Sequence, residues 1–268
     1  MKKSISWIRR DEDQLARELH KKNIEIANAV QREVHPRISI YSRGIKRLFD
    51  LSIAFIALVV TLPINTVIGI ITLKDVGLPI FYRQQRVGKD ENQFTLVKFR
   101  NMTNEKDENG ELLPPSERVT KTGKVLRKYS LDELLNFWSV LKGDMSIIGP
   151  RPLPVEYCKR LSKRHNERHK VKPGLLCPIT KEIKEKYPFP EPYSRYQAEF
   201  ETEIWYVENI SFKTDVRLLG LLIKETFDME RRGKNAQSAS PFIGYDSDGY
   251  AVSRKHYENK TRSNNNEI

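Results

Sequence analysis

The chain has 268 residues, a formal net charge of +12 at pH 7 and two cysteines, Cys158 and Cys177. That length suits one or two modest domains, and the positive balance points to an anionic partner: nucleic acid, anionic lipid or a phosphorylated substrate. Two cysteines without CxxC spacing exclude a disulfide scaffold and a cysteine-built zinc site, which suits a reducing compartment, and Arg9, Arg10 and Asp11 interrupt the N-terminus before the apolar core of a secretory signal can form.

Residues 1–42 are a polar N-terminal extension. Leu15, Leu19, Ile26 and Val30 predict a weak amphipathic helix from about Asp13 to Glu33, ended by Pro36. Its thin stripe suits a solvated helix or a surface for a partner or a second copy of the chain.

The next stretch differs. Leu51 to Leu73 is a run of 23 residues without a charge. As a helix it would reach across a hydrocarbon core of about 30 Å. Arg43, Lys46 and Arg47 flank one end, and Lys74, Arg83, Arg86 and Lys89 the other. Positive flanks favour the cytoplasm, so both ends belong on one side. Pro63, near the centre, removes a helix hydrogen bond and bends the axis. Residues 43–76 are therefore expected to form a re-entrant membrane helix that breaks at Pro63 and returns.

Short strands are predicted at Ile80–Tyr82 and Phe94–Val97, bounded by Gly77, Pro79, Gly88 and Asn92. Asn104–Pro115 reads as a polar loop. Arg118, Lys121, Lys124, Arg127 and Lys128 form a basic run leading into Ser130–Pro152, where the chemistry-bearing residues concentrate. Ser130 and Glu133 have the spacing of a capping box, and Asp132 falls in the same first turn, where backbone N–H groups favour an anion. Leu131, Leu134, Leu135, Trp138 and Leu141 predict the buried stripe of the helix that follows. A cap accounts for Glu133 but leaves Asp132 and the rigid turn Gly149-Pro150-Arg151-Pro152 without a role.

Farther on, His165 and His169 have a spacing that could share a metal, but no third ligand is evident and none is expected there. Residues 181–197 read as irregular. Residues 198–231 read as helix, with an aromatic and aliphatic patch suited either to core packing or to resting on lipid. Residues 232–268 read as a disordered tail. No nucleic-acid-binding module is recognisable, so nucleic acid is not an expected partner.

From about Lys46 to Met229 the chain resembles the bacterial sugar transferases, the monotopic phosphoglycosyl transferases. The resemblance rests on Lys46-Arg47-Leu48-Phe49-Asp50, Pro63, Val97-Lys98-Phe99-Arg100-Asn101-Met102, Asp107-Glu108-Asn109-Gly110-Glu111-Leu112, Ser130-Leu131-Asp132-Glu133-Leu134, Leu141-Lys142-Gly143-Asp144-Met145-Ser146, Gly149-Pro150-Arg151-Pro152 and Arg168-His169-Lys170-Val171-Lys172-Pro173-Gly174. It implies an α/β, mainly helical fold: a small membrane-associated catalytic domain over 77–231, with the re-entrant helix and interfacial amphipathic helices. It also implies the cytoplasmic face of the bacterial inner membrane and the start of lipid-linked glycan or exopolysaccharide synthesis. The implied reaction moves a sugar 1-phosphate from a nucleotide sugar, usually a UDP-sugar, to polyprenol phosphate. Asp132 would be the nucleophile and Glu133 its dyad partner, with Asp132, Glu133 and Asp144 as ligands of Mg²⁺. Arg127 and Arg151, then Lys98 and Arg100, are the expected phosphate-binding residues. The chain departs from the family pattern at Leu62, where serine is usual before the proline, and after Gly174, where Leu175-Leu176-Cys177-Pro178 replaces a Thr-Gly-Trp-Ala segment. The second departure bears on donor recognition. A catalytically silent membrane scaffold is the alternative function.

Overall fold

In a computed structural model that describes residues 5–30, 32–189, 192–227 and 240–266, the uncharged run lies within one helix, α2 (Lys46–Val76), preceded by a π-helical turn at Tyr41–Ile45. Among the described residues it is the one helix long and apolar enough to cross a membrane. Three of its hydroxyls bond back to the helix: Ser52, Thr61 and Thr66 donate to the carbonyls of Leu48, Ala57 and Leu62 at 3.0, 2.7 and 3.0 Å, while the buried Thr72 hydroxyl has no partner among the described residues. The backbone stays helical through Pro63, so the expected break does not divide the segment into two helices. Lys46, Asp50, Ala54, Ile68 and Thr72 are buried along one face, while Phe55, Ile56, Val59, Val60, Leu62, Ile64 and Val67 are exposed.

Polar bonds lock α2 to the body. Asp50 accepts from Ser146 Oγ at 2.7 Å and from the Ile147 amide at 3.0 Å. Asp215 accepts from Lys46 Nζ, Tyr41 Oη and Tyr206 Oη, each at 2.6 Å. Such buried charges are tolerable only when fully paired, as these are.

Among the described residues the body is mainly helical with three two-stranded sheets. Strands β1 (Phe81–Val87) and β2 (Gln93–Phe99) pair antiparallel where the alternating runs predict them. Short helices α3 (Pro115–Arg118) and α4 (Lys121–Lys128) follow; Thr120 caps α4 by accepting from the Gly123 amide at 2.8 Å. Helix α5 (Asn136–Lys142) stops at Gly143, whose φ of 98° suits glycine. Strand β3 (Ser146–Ile148) pairs in parallel with β4 (Gly174–Leu176) across α6 (Val155–Cys158) and α7 (Lys163–Asn166). Gly149 and Gly174 approach so closely that a Cβ on Gly174 would lie 2.1 Å from the Gly149 amide nitrogen. Helices α8 (Lys181–Lys186), α9 (Arg195–Asn209) and α10 (Phe212–Phe227) complete the body. The core gathers Ala54, Leu96, Val140, Met145, Ile147, Ile148, Tyr206 and Leu218 around α9 and β3.

Several expectations change. Ser130 is left-handed (φ 55°) and makes no side-chain cap, so there is no capping box; a single 3-10 turn, Leu131–Glu133, precedes α5. Trp138 is 57% exposed instead of closing the apolar stripe. Part of the irregular stretch 181–197 is helical, and the expected helix over 198–231 is two helices parted at Ile210-Ser211, its last residues, 228–231, lying outside the described residues. Of these, α9 is mostly buried, whereas α10 leaves Phe212 and Val216 exposed.

The largest correction concerns the termini. Helix α1 (Ile5–Val30) packs on a hairpin of β5 (Phe242–Tyr245) and β6 (Ala251–Ser253), followed by α11 (Arg254–Asn266). The expected disordered tail is therefore ordered over 240–266; residues 232–239 lie outside the described residues. The buried stripe of α1 is Ala16, Leu19, Asn23 and Ala27, closed by Ile243, Tyr245, Val252 and Ala251, while Ile26 and Val30 are exposed. Alanine and asparagine complete that stripe, which is why leucines alone understated it. The partner of the extension is the chain's own C-terminal hairpin.

Candidate active site

Strand periodicity brings Leu96 and Lys98 to one face of β2 and Gln84 and Arg86 to the paired face of β1. The chain then turns at Asn101, and α4 ends with Arg127 in its last turn. The left-handed Ser130 reverses direction and sets the 3-10 turn that carries both carboxylates. Asp132, 6% exposed, accepts from Asn101 Nδ2 at 2.7 Å, and Asn101 Oδ1 in turn accepts from Arg127 Nε at 3.0 Å. Glu133 instead forms an ion pair with Lys98. The two neighbouring acids thus have separate partners.

Their protonation differs accordingly. Burial, and then the Glu133 charge, raise the Asp132 carboxyl above the usual range against the pull of Lys98 and Arg127. Burial also raises Glu133, but Lys98, Arg151 and Arg86 outweigh it and leave that carboxyl below its ordinary value. At neutral pH Glu133 is the settled anion and Asp132 the more basic carboxylate.

A cleft beside the pair is lined by Arg86, Lys98, Glu133, Asn136, Arg151 and Gly174. Arg86 donates to the Pro152 carbonyl at 3.0 Å and to Gln84 at 2.6 Å; burial and then Arg151 lower its pKa. Two guanidinium groups crowding one cleft form a receptor for an anion such as phosphate. Asn136, 4% exposed, lines that cleft and leaves Oδ1 buried without a hydrogen bond.

Lys98, Arg127 and Arg151 therefore lie at or beside the carboxylate pair. Arg100 does not serve as expected. Its buried guanidinium caps α2, donating to the carbonyls of Val76 and of Gly77, the latter at 3.0 Å. Asp144 also falls elsewhere. It pairs with Lys142 at 2.6 Å and lines a second cleft with Gly88, Asp90 and Lys172. Among the described residues no three His, Cys, Asp or Glu side chains gather as a metal site, so the expected trio of Asp132, Glu133 and Asp144 is not assembled. The Asp132–Glu133 pair alone still fits Mg²⁺: it offers hard oxygens, one on a carboxyl that burial makes costly to ionise, and Mg²⁺ needs only one or two carboxylates when substrate phosphates supply the remaining oxygens. His165 serves the core, bonding Tyr245 Oη at 2.8 Å and Glu201 at 3.1 Å.

The sequence marks Arg86 only as a basic flank of the apolar run, Asn101 only as part of a family motif, and Asn136 not at all. Alternation along β1 places Arg86 on the cleft face once the strand register is known; the motif marks Asn101 without giving it a role, and Asn136 carries no local signal beyond being polar beside an apolar run.

Similarity to known proteins agrees with this geometry. A family model described as bacterial sugar transferase matches residues 41–229. The uncharacterized sugar transferase EpsL of Bacillus subtilis is 40% identical over 202 residues, which cover 75% of this chain and 96% of that protein. The UDP-N-acetylgalactosamine-undecaprenyl-phosphate N-acetylgalactosaminephosphotransferase of Aeromonas hydrophila is 32% identical over 180 residues, covering 65% of this chain and 42% of the relative. The UDP-glucose:undecaprenyl-phosphate glucose-1-phosphate transferase of Klebsiella pneumoniae is 33% identical over 189 residues, covering 68% of this chain and 40% of the relative. The matched part of the chain thus spans less than half the length of the latter two proteins. A family match over most of the chain, joined to a buried acidic pair beside an arginine-lined cleft at the foot of an apolar helix, shows that this chain belongs to the bacterial sugar transferase family.

Proposed function

We propose that the protein transfers a sugar 1-phosphate from a UDP-sugar to a polyprenol phosphate at the cytoplasmic face of the inner membrane, through a phosphosugar carried covalently on Asp132. The observation that carries the reading is Asp132 itself: a buried, raised-pKa carboxyl aimed by Asn101 and Arg127 beside a cationic cleft.

In the first half-reaction a carboxylate oxygen of Asp132 bonds to the sugar-bearing phosphorus. The bond from that phosphorus to the bridging oxygen breaks, and UMP leaves with the electron pair. Burial keeps Asp132 basic enough to attack, while Asn101 holds one carboxylate oxygen and leaves the other for the phosphorus. Arg86 and Arg151 neutralise the diphosphate, and Lys98 holds Glu133 in place. Asp132 and Glu133 would hold Mg²⁺, which would supply further neutralisation of the developing charge. In the second half-reaction an oxygen of polyprenol phosphate bonds to the same phosphorus and the Asp132 carboxylate departs, giving a polyprenol diphosphate sugar.

Seating of both flanks of α2 on one side is supported by its contacts. Lys46 and Asp50 near one end, and the Val76 and Gly77 carbonyls at the other, bind the same polar body. A helix crossing the bilayer would put those partners in opposite water phases. The exposed apolar face of α2, with Phe212 edge-on to Phe49 at 5.8 Å, supplies the lipid-facing surface where a soluble donor meets a lipid acceptor. Leu175 lines the cleft, so the stretch that departs from the family pattern bears on choice of sugar.

The test uses detergent-extracted full-length protein with Mg²⁺, undecaprenyl phosphate and a panel of UDP-sugars, following UMP release. Asp132→Asn should lose transfer by about a thousandfold or more. With labelled donor and no acceptor, wild-type protein should retain phosphosugar through denaturation and Asp132→Asn should not. A folded Asp132→Asn protein that transfers normally would overturn the mechanism. Wild-type protein inert toward every donor would favour the silent scaffold.

A further inference from the structure

The turn Gly149-Pro150-Arg151-Pro152 is held by more than its prolines. The Arg151 amide donates to Glu203 Oε1 at 2.8 Å, and the Arg151 carbonyl accepts from Arg168 Nη2 at 2.5 Å. Arg168 Nη2 also lies 2.7 Å from Glu203 Oε2. One buried ion pair therefore grips the same residue by both of its backbone polar groups. Pro150 and Pro152 restrict the backbone on either side, the second by disfavouring helical conformation at Arg151 itself. The Pro150 carbonyl is fixed as well, accepting from the Gly174 amide at 2.8 Å. What remains free at Arg151 is its side chain, which is exposed and lines the cleft beside Glu133.

As a stabilising device the pair is poor. Arg168 Nη1 and Glu203 Oε2 are buried without a hydrogen bond, and burial pushes the Glu203 carboxyl up to about 7 despite the nearby Arg168. A buried pair with unsatisfied atoms costs more than packed apolar side chains would. Arg168 is also seated on the Phe200 ring, 5.1 Å from its centroid, so its orientation is set by the core rather than by solvent.

We propose that Arg168 and Glu203 are positioning residues that clamp the Arg151 peptide so that its guanidinium meets the diphosphate of the donor. The proposal rests on the reading of Arg151 as a phosphate-binding residue. It assigns to α9 and to the turn after α7 a part in donor binding, although neither residue reaches the substrate.

The experiment measures the Kd of UDP by titration calorimetry on full-length protein in detergent with Mg²⁺, and thermal stability in parallel. The variants are Arg151→Ala, Glu203→Gln, the neutral double variant Arg168→Gln/Glu203→Gln, and each clamp variant combined with Arg151→Ala. The double variant leaves no unpaired buried charge, which guards against simple unfolding. Each clamp variant should weaken UDP about tenfold or more when Arg151 is present, because misplacing a binding group by about 1 Å is costly. Neither should weaken UDP further once Arg151 is alanine, the non-additivity expected of groups that act through one residue. Unchanged UDP affinity in a folded clamp variant, or losses that add to that of Arg151→Ala, would overturn the clamp. Unfolding of both clamp variants would likewise overturn it and assign the pair to stability alone. If Arg151→Ala itself leaves UDP binding intact, the reading of Arg151 fails instead.

Discussion

Asp132 and Glu133 are adjacent in sequence yet held to opposite protonation tendencies, and that difference is testable. As the proposed nucleophile Asp132 must be ionised, and its pKa is raised by burial and by Glu133. Activity should therefore be fully present at neutral pH and fall as pH drops through a value above the ordinary aspartate range, giving an acid limb in the pH–rate profile. Asn101→Ala removes a donor to the charged form of Asp132, so it should raise that pKa further and shift the limb to higher pH. A limb that stays in place would show that Asn101 does not act on Asp132. Glu133→Gln separates two roles. The capping geometry that glutamine would preserve is not formed, so loss of activity in a folded Glu133→Gln protein would come from the lost charge beside Lys98. A drop of about tenfold to a thousandfold is expected, the range for a charged group that organises an active site.

Among the elements, the pairing of α1 with the terminal hairpin changes what a truncation should do. The family match begins near residue 41, so removing residues 1–33 leaves the proposed catalytic residues in place. It also uncovers Ile243 and Val252, both fully buried. Such a protein should show a lower melting temperature and early proteolysis within 240–266, while retaining covalent phosphosugar formation when freshly prepared. Ile243→Ala should cost about 2–5 kcal/mol by the same logic. Gly174→Ala should be damaging in another place, by about 1–3 kcal/mol or more, because its Cβ would strike the Gly149 backbone.

These elements also show what the sequence could and could not disclose. The apolar run, the β1–β2 hairpin, the free cysteines and the acidic pair were legible, because each is written in a local pattern. The terminal hairpin was not. Its strands are only four and three residues long, one of them interrupted by Gly244, they are joined by the polar turn Asp246-Ser247-Asp248-Gly249, and their burial depends on α1, more than two hundred residues away. Arg100 and Asp144 were misassigned for a related reason. Local sequence shows that a residue is charged, but whether it faces a ligand or a helix end depends on partners distant in the chain.

At the level of the whole molecule, the helix and the body behave as one unit. Single cysteines at Arg43 and Lys74, in a background with Cys158 and Cys177 replaced by alanine, should label alike with an impermeant reagent in everted membrane vesicles and stay protected in intact cells. Opposite labelling would leave α2 a simple span. The inner face of α2 has a second consequence, for how such a protein can be handled or rebuilt. Ser146, the Ile147 amide and Asp215 all take partners from its first turns, and Arg100 closes its last. Cutting the helix away to obtain a water-soluble fragment would strip hydrogen bonds from the middle of the core. A foreign anchor of equal greasiness would not restore them. Solubilisation has to come from repainting the outward residues, Phe55, Ile56, Val59, Val60 and Val67, with the inward ones left untouched.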